Sequence, residues 1–325
     1  MSKPSVRRAV QVISHGPSCL DGVVAAAVVA RFYEGQRVIT RLVANNDSDR
    51  VLQELELRSG GQDDEIWVTD LSWNSTATGE HLTELAQKGA RIYWIDHHRT
   101  AVGRAGAPEF KVPFAGRVLS EQYSAARLTF NYLRRRAATL PAARARAFEE
   151  FSVFAAIADD NDRWIHRIRE SKDWALAVQT LGGVESYREI LRLREPKMTR
   201  RLRAALETGR EAMAKSLELA RSSMVDRMLD NGLKVRSACC FGYSSEVAAA
   251  LYEGQTRTVI ALFDLRSQGV SLRRSADCEV DLSALARLFG GGGHAAAAGF
   301  ATSDLKRAPA ERLAELLGDR LATAG

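Results

Sequence analysis

The sequence predicts an α/β protein in two parts: a domain built on a parallel sheet, a connecting helix, and a smaller α/β domain. Three observations carry this. The first half alternates strand-length β-branched runs with longer Ala- and Leu-rich stretches, the order that buries a parallel sheet under helices. A single charge-laced stretch, Pro196 to Met228, follows without a turn signal, and after Asp230-Asn231-Gly232 the alternation resumes. The length of 325 residues agrees, because single domains cluster near ~100–200 residues. The expected boundaries are 1–195, 196–229 and 230–325.

In chain order, Ala9–Ser14 reads as a buried strand and Gly22–Tyr33, rich in Ala and Val, as a helix. Val38–Val43 and Glu65–Asp70 are strands, Gly79–Lys88 a helix, and Arg91–Ile95 a fourth strand. Ser124–Arg135 and Ala142–Asp159 place apolar residues at three- and four-residue spacing, with Pro141 at the start of the second helix. The second domain opens with a strand at Lys234–Cys240 and a helix at Ser245–Glu253. Strands at Thr258–Asp264 and Gly269–Arg274, a helix at Leu282–Phe289 and a last helix at Ala308–Leu321 complete it.

Composition narrows the classes. At 46% hydrophobic and 26% charged the chain has the balance of a soluble globular protein. The net charge of +6 suggests a polyanionic partner, nucleic acid or a phosphorylated small molecule. Cys19, Cys239, Cys240 and Cys278 show no zinc-type spacing, and two are adjacent, which points to a reducing compartment. The N-terminus lacks a long apolar core, and no apolar run approaches the ~20 residues that span a bilayer. The expectation is a cytoplasmic protein with no membrane partner, a homodimer being left open.

Polar clusters follow each predicted strand. His15, Cys19 and Asp21 come after the first, Asn45-Asn46-Asp47 after the second, Asp70 after the third, and Asp96-His97-His98 after the fourth. Loops at the carboxyl ends of parallel strands share one edge, and ligands bind there. Each residue also has a plain reading: Asp70 as a helix cap, Asp21 as a cap of the helix at Gly22, His15 as a satisfied core histidine. Their convergence favours a site. Imidazoles and carboxylates suit Mn²⁺, with Mg²⁺ or Fe²⁺ as alternatives, and two such ions ~3.5–4 Å apart activate water for in-line attack at phosphorus. Asp70, central in the strand order, is the candidate bridge. Adjacent residues of a strand face opposite ways, so one of His97 and His98 is expected to face a metal. Asp159, Asp160 and Asp162 crowd a helix C-terminus, where negative charge is disfavoured; a cation would compensate, as would solvent and Arg163.

The run Leu288-Phe289-Gly290-Gly291-Gly292-Gly293-His294 is the second feature. Four glycines cost backbone entropy, which suits close approach of backbone to a ligand. Their N–H groups can cradle phosphate; a tight crossover packed under a helix is the structural alternative. Ser271, Arg273 and Arg274 lie in the same domain, and arginine binds phosphate bidentately.

Taken together, these motifs resemble the DHH phosphoesterase superfamily. His15–Asp21, Asp70, Asp96-His97-His98 and the acids at 159–162 are similar to its four motifs, and "FGGGGHAAAAGF" to the signature of its associated C-terminal domain. The layout most resembles the nano-RNase (oligoribonuclease) group. The resemblance implies a parallel-sheet DHH domain, a linker helix, a smaller substrate-binding domain and a manganese cofactor. It implies hydrolysis of short single-stranded oligonucleotides or linear dinucleotides to mononucleotides. Carried over, His15 binds the first metal, Asp21 and His97 the second, and Asp70 bridges both. His98 approaches the scissile phosphate and Asp96 orients the site. Asp160 is favoured for the fourth motif, with Asp159 as competitor and Trp164 in the aromatic place. Gly290–Gly293, His294 and Arg273 hold the terminal nucleotide. Many members carry Asp-x-Asp where this chain has Cys19-Leu20-Asp21; a thiolate ligand would shift preference toward Fe²⁺ or Zn²⁺. The alternatives are a phosphatase of pAp, a pyrophosphate or polyphosphate hydrolase, and a catalytically degenerate nucleic-acid-binding scaffold.

Overall fold

In the computed structural model the chain divides at Gly209/Arg210 into two compact units. The structure describes residues 9–58, 64–252, 254–302 and 309–323. Glu253 and Ala308, at the expected ends of two helices, lie outside them.

The first unit runs β1 (Ala9–His15), α1 (Leu20–Phe32), β2 (Arg37–Val43), α2 (Ser48–Gln53), β3 (Glu65–Thr69), α3 (Thr76–Gln87), β4 (Arg91–Asp96), α4 (Arg99–Gly103) and β5 (Gly116–Leu119). Helices α5 (Ala125–Arg136), α6 (Ala142–Glu150), α7 (Ser152–Asp162), α8 (Ser171–Leu181) and α9 (Gly183–Arg192) follow. Helix α10 (Arg200–Ser222) runs across the division. Among the described residues the strands form one five-stranded sheet, ordered β2-β1-β3-β4-β5 and parallel throughout. The order reverses between β1 and β3, so the crevice at their carboxyl ends is where this topology binds ligands.

The pleat divides the core. Ile66, Val68, Ile92 and Trp94 face one side, with Leu52 of α2, Leu82 of α3, Trp73 and Phe110. The intervening Trp67 and Tyr93 stack with ring centroids 4.1 Å apart. On that side α1 packs against the sheet and against α5, α7 and α9. Every residue of α1 is buried, which explains its all-round apolar sequence.

The second unit holds β6 (Val225–Met228), β7 (Lys234–Cys240), α11 (Ser244–Tyr252), β8 (Thr258–Asp264), β9 (Gly269–Arg274), α12 (Leu282–Arg287), β10 (Gly292–His294), β11 (Ala297–Ala301) and α13 (Pro309–Thr323). Its sheet is ordered β10-β11-β9-β8-β7-β6, with only β7 and β8 parallel among the described strands. Strand β8, flanked by β9 and β7, is buried along its whole length, and its sequence accordingly runs apolar from Val259 to Phe263 without alternation.

Three expectations change. The helix expected at 142–159 is two, broken at Phe151, and the second continues to Asp162. The connecting helix starts at Arg200, and the stretch ends in strand β6 rather than helix. The Leu282 helix stops at Arg287, before the glycines.

Candidate metal centre

The carboxyl edge of the first sheet gathers the chemistry. Asp70 follows β3 at φ +54°, a left-handed conformation that costs a non-glycine residue energy. Its N–H donates to the Ile95 carbonyl at 2.9 Å, which fixes the strained residue beside the end of β4. One Asp70 oxygen, Oδ1, lies 3.3 Å from His97 Nε2 and 3.8 Å from His98 Nδ1. The other, Oδ2, faces the start of α1, 3.7 Å from Cys19 Sγ.

His97 Nε2 also lies 3.8 Å from Asp21 Oδ2 and 3.6 Å from Asp162 Oδ2. Two overlapping groups result, Asp70–His97–His98 and Asp21–His97–Asp162, each with ligand atoms within 4.8 Å of one another. Asp21 is fully buried and held in place by the first turn of α5. Ala125 and Ala126 donate their backbone N–H groups to its two oxygens at 2.8 and 2.9 Å. Asp96, at the end of β4, accepts at one oxygen from the N–H groups of His97 and His98, at 2.7 and 3.1 Å. The same oxygen is 2.7 Å from His98 Nδ1. This carboxylate sets the orientation of the doublet.

The electrostatics are those of crowded carboxylates around two imidazoles. Burial, then the neighbouring Asp70 and Asp162, push the Asp21 carboxyl well above its ordinary value. Asp162 is pushed up mainly by burial. Burial would lower His97, but Asp70, Asp162 and Asp21 outweigh it and push it up to about 11. His98 goes up to about 9, burial being outweighed by Asp96 and Asp70. Burial would raise Asp70, but the imidazoles of His97, His98 and His15 hold it below its ordinary value. Among the described residues, Asp70 Oδ1, His15 Nδ1 and Asp96 Oδ2 are buried and receive no hydrogen bond. Orphaned buried atoms of this kind are costly unless something is bound. The oxygen and imidazole donor set fits a divalent cation of the manganese or magnesium kind.

In the second unit the glycines form a hairpin. Gly290 and Gly293 sit at φ +75° and +136°, and a Cβ on Gly291 would overlap the Gly299 carbonyl. Gly292 pairs with Gly299, and His294 with Ala297. Backbone geometry therefore accounts for three of the four glycines. Arg273 donates to Ser245 Oγ at 2.6 Å and to the Leu272 carbonyl at 2.8 Å, and burial lowers its pKa. Arg274 turns to the Ala295 carbonyl instead.

No protein-family model matches the chain. It is 26% identical over 299 residues to oligoribonuclease NrnB of Bacillus subtilis (strain 168), covering 88% of this chain and 71% of that protein. Its fold is shared with the DHH domain of a member of a family of ribosomal proteins. The TM-score is 0.65 at 16% identity, over 97% of this chain and 87% of that one. The fold is that of DHH-domain proteins. The pGpG-specific phosphodiesterase PggH from Vibrio cholerae has the same DHH fold, with a TM-score of 0.56 at 14% identity over 98% and 100% of the two chains. So does manganese-bound RecJ from Thermus thermophilus, with a TM-score of 0.54 at 17% identity over 98% and 52%.

Against the DHH motifs, the structure brings Asp21, Asp70, His97 and His98 together, with Asp96 behind them. His15, at the end of β1, and Cys19 lie outside the two ligand groups; burial and the carboxylates of Asp70, Asp21 and Asp162 push the Cys19 thiol well up. In the fourth motif the acid that reaches His97 is Asp162, not Asp160 or Asp159. Asp160 accepts from the N–H groups of Arg167 and Ile168 at 2.8 and 3.1 Å, and Asp159 from that of Ser124 at 2.7 Å. Helix α7 continues through Asp162, and residues two apart on a helix point ~200° apart, so Asp160 and Asp162 cannot share a direction. The histidine doublet also departs from expectation. The strand ends at Asp96, the backbone turns, and the two rings lie on one side, centroids 4.5 Å apart. The choice of Asp162 follows only from the extension of α7 through that residue.

Proposed function

We propose that the protein is a metal-dependent phosphodiesterase that cleaves short single-stranded oligonucleotides or linear dinucleotides to mononucleotides. The observation that carries this is the meeting of Asp21, Asp70, His97 and Asp162 at the β1/β3 switch point, with buried oxygens left for a cation. The likeness to an oligoribonuclease and to a dinucleotide phosphodiesterase supports the substrate class.

Asp21, Asp70, His97 and Asp162 would hold divalent cations, manganese by analogy with RecJ, with His15 and Cys19 at the margin. Bound there, such ions supply Lewis acidity, which activates water and offsets charge at phosphorus. The chain's own residues do the rest. Asp70, clamped by its bond to Ile95, presents its two oxygens in two directions, as a shared ligand requires. Asp96 holds the His98 ring beside the cluster, where its other nitrogen can donate to a phosphate oxygen. The glycine hairpin, His294 and Arg273 of the second unit are the nucleotide-binding elements of this reading. Intact carboxylates and imidazoles at the centre argue against a degenerate scaffold.

The test is manganese-stimulated release of mononucleotides from a dinucleotide. Asp70→Ala and His97→Ala are each expected to lower kcat at least ~100-fold, the scale on which catalytic charge stabilisation is lost. Full activity in both variants would refute the site.

A further inference from the structure

One exposed aromatic side chain follows the candidate centre closely in the chain. Among the five tryptophans, Trp67, Trp73, Trp94 and Trp174 are at most 2% exposed, whereas Trp164 is 39% exposed. Its backbone sits at φ +56°, and that of His166 at +52°. A bulky residue rarely adopts this conformation unless the surroundings impose it.

Asp160 imposes it here. Its carbonyl accepts from the N–H groups of Ile165 and His166 at 2.9 and 3.2 Å, and its carboxylate from those of Arg167 and Ile168. Four bonds to one residue hold the segment rigid. His166 braces the indole edge-on, ring centroids 4.5 Å apart and planes at 62°. The result is a fixed aromatic ring presented to solvent.

Its position gives it a partner. Trp164 follows Asp162 by two residues, which span at most ~7 Å, and Asp162 Oδ2 lies 3.6 Å from His97 Nε2. The ring therefore follows a candidate ligand within two residues of the chain. Arg163, Arg167 and Arg169, in the same short segment, are exposed. An exposed aromatic among cations is the composition on which single-stranded bases stack. We propose that Trp164 is the stacking platform for a nucleobase flanking the scissile phosphate, so that the first unit selects nucleotides over other phosphodiesters. This rests on the phosphodiesterase reading above. The occupant is a base, because carboxylate ligands, cations and the ring share one short segment.

The experiment uses the full chain, the dinucleotide pApA and its abasic analogue. The variants are Trp164→Phe, which keeps a ring, and Trp164→Gly, which removes it and suits the positive φ. Intrinsic tryptophan fluorescence is read without turnover, in the presence of Ca²⁺. pApA is expected to quench the wild type and the abasic analogue is not; the quench disappears in both variants. In hydrolysis assays with Mn²⁺, Trp164→Gly is expected to raise KM for pApA ~10-fold or more at nearly unchanged kcat, the worth of one stacked base. KM for the abasic analogue stays put, and Trp164→Phe recovers most of the loss. Equal quenching in Trp164→Phe, or an unchanged KM in Trp164→Gly, overturns the proposal. So does a shift of oligomeric state in Trp164→Gly by sedimentation, which would make the ring a protein contact. Base-dependent quenching without any hydrolysis refutes the catalytic reading and leaves the platform standing.

Discussion

The three acids that close α7 show how one residue type takes three duties within four positions. Asp159 bonds the Ser124 N–H ahead of α5, Asp160 pins the loop after α7, and Asp162 reaches a histidine of the candidate metal centre. The duties are separable by experiment. Asp162→Asn is expected to weaken manganese binding at least ~10-fold and leave the melting temperature of the metal-free protein unchanged or raised, because it removes one of several crowded carboxylates. Asp160→Asn is expected to destabilise by ~1–3 kcal/mol, since amides lose a charge-assisted acceptor. Metal titration and thermal melts of both variants check this; equal metal affinity in wild type and Asp162→Asn would return the fourth motif to another acid. The sequence makes the cluster visible but not its division of labour. That division depends on where α7 ends, and one further helical turn changes which carboxylate faces inward.

Elements are legible in proportion to how far their burial is written into composition. Helix α1 is plain because all of its residues are buried, and β1, β3 and β4 because each is buried along nearly its whole length. Strand β5, four half-exposed residues at the sheet edge, and the five-residue α4 leave no periodic signal. The amphipathic α9 escapes the sequence reading although its apolar residues lie on one face, as does α8. Gly22 shows an element joined to the site by sequence necessity. It lies in the first turn of α1, where a Cβ would overlap the His15 carbonyl and come within 3.0 Å of Asp70 Oδ2. Its carbonyl accepts from Ser14 Oγ at 2.7 Å, which ties α1 to β1. Gly22→Ala must therefore push the helix off the strand. The expected cost is ~1–3 kcal/mol, the usual range for overpacking, together with a loss of metal affinity. Urea unfolding and metal titration measure the two; wild-type values for both would mean that α1 shifts freely and does not position the centre.

At the scale of the whole molecule, a cluster of acids around a histidine makes stability depend on pH and, where a cation binds there, on metal. Asp21 and Asp162 have folded-state values above their unfolded ones, so the metal-free native state keeps protons the unfolded chain releases, and stability falls as pH rises above ~4. His97 acts in the same sense. Raised to about 11, it contributes stability fully present below its unfolded value near ~6.5 and lost as pH climbs toward 11. Asp70, held low, opposes them, its contribution being lost only in acid. A bound cation takes the place of the protons, so its binding releases them and strengthens with pH. A ligand at a hundred times its Kd stabilises by ~2.7 kcal/mol, and each displaced proton adds ~1.4 kcal/mol per pH unit. The melting temperature gained on adding manganese is therefore expected to be larger at pH 8 than at pH 6, with proton release visible by calorimetry in buffers of different ionisation enthalpy. Asp70→Asn should remove most of the gain. If the gain is the same at both pH values, or larger in acid, the cation is not displacing protons from these side chains and the metal centre lies elsewhere.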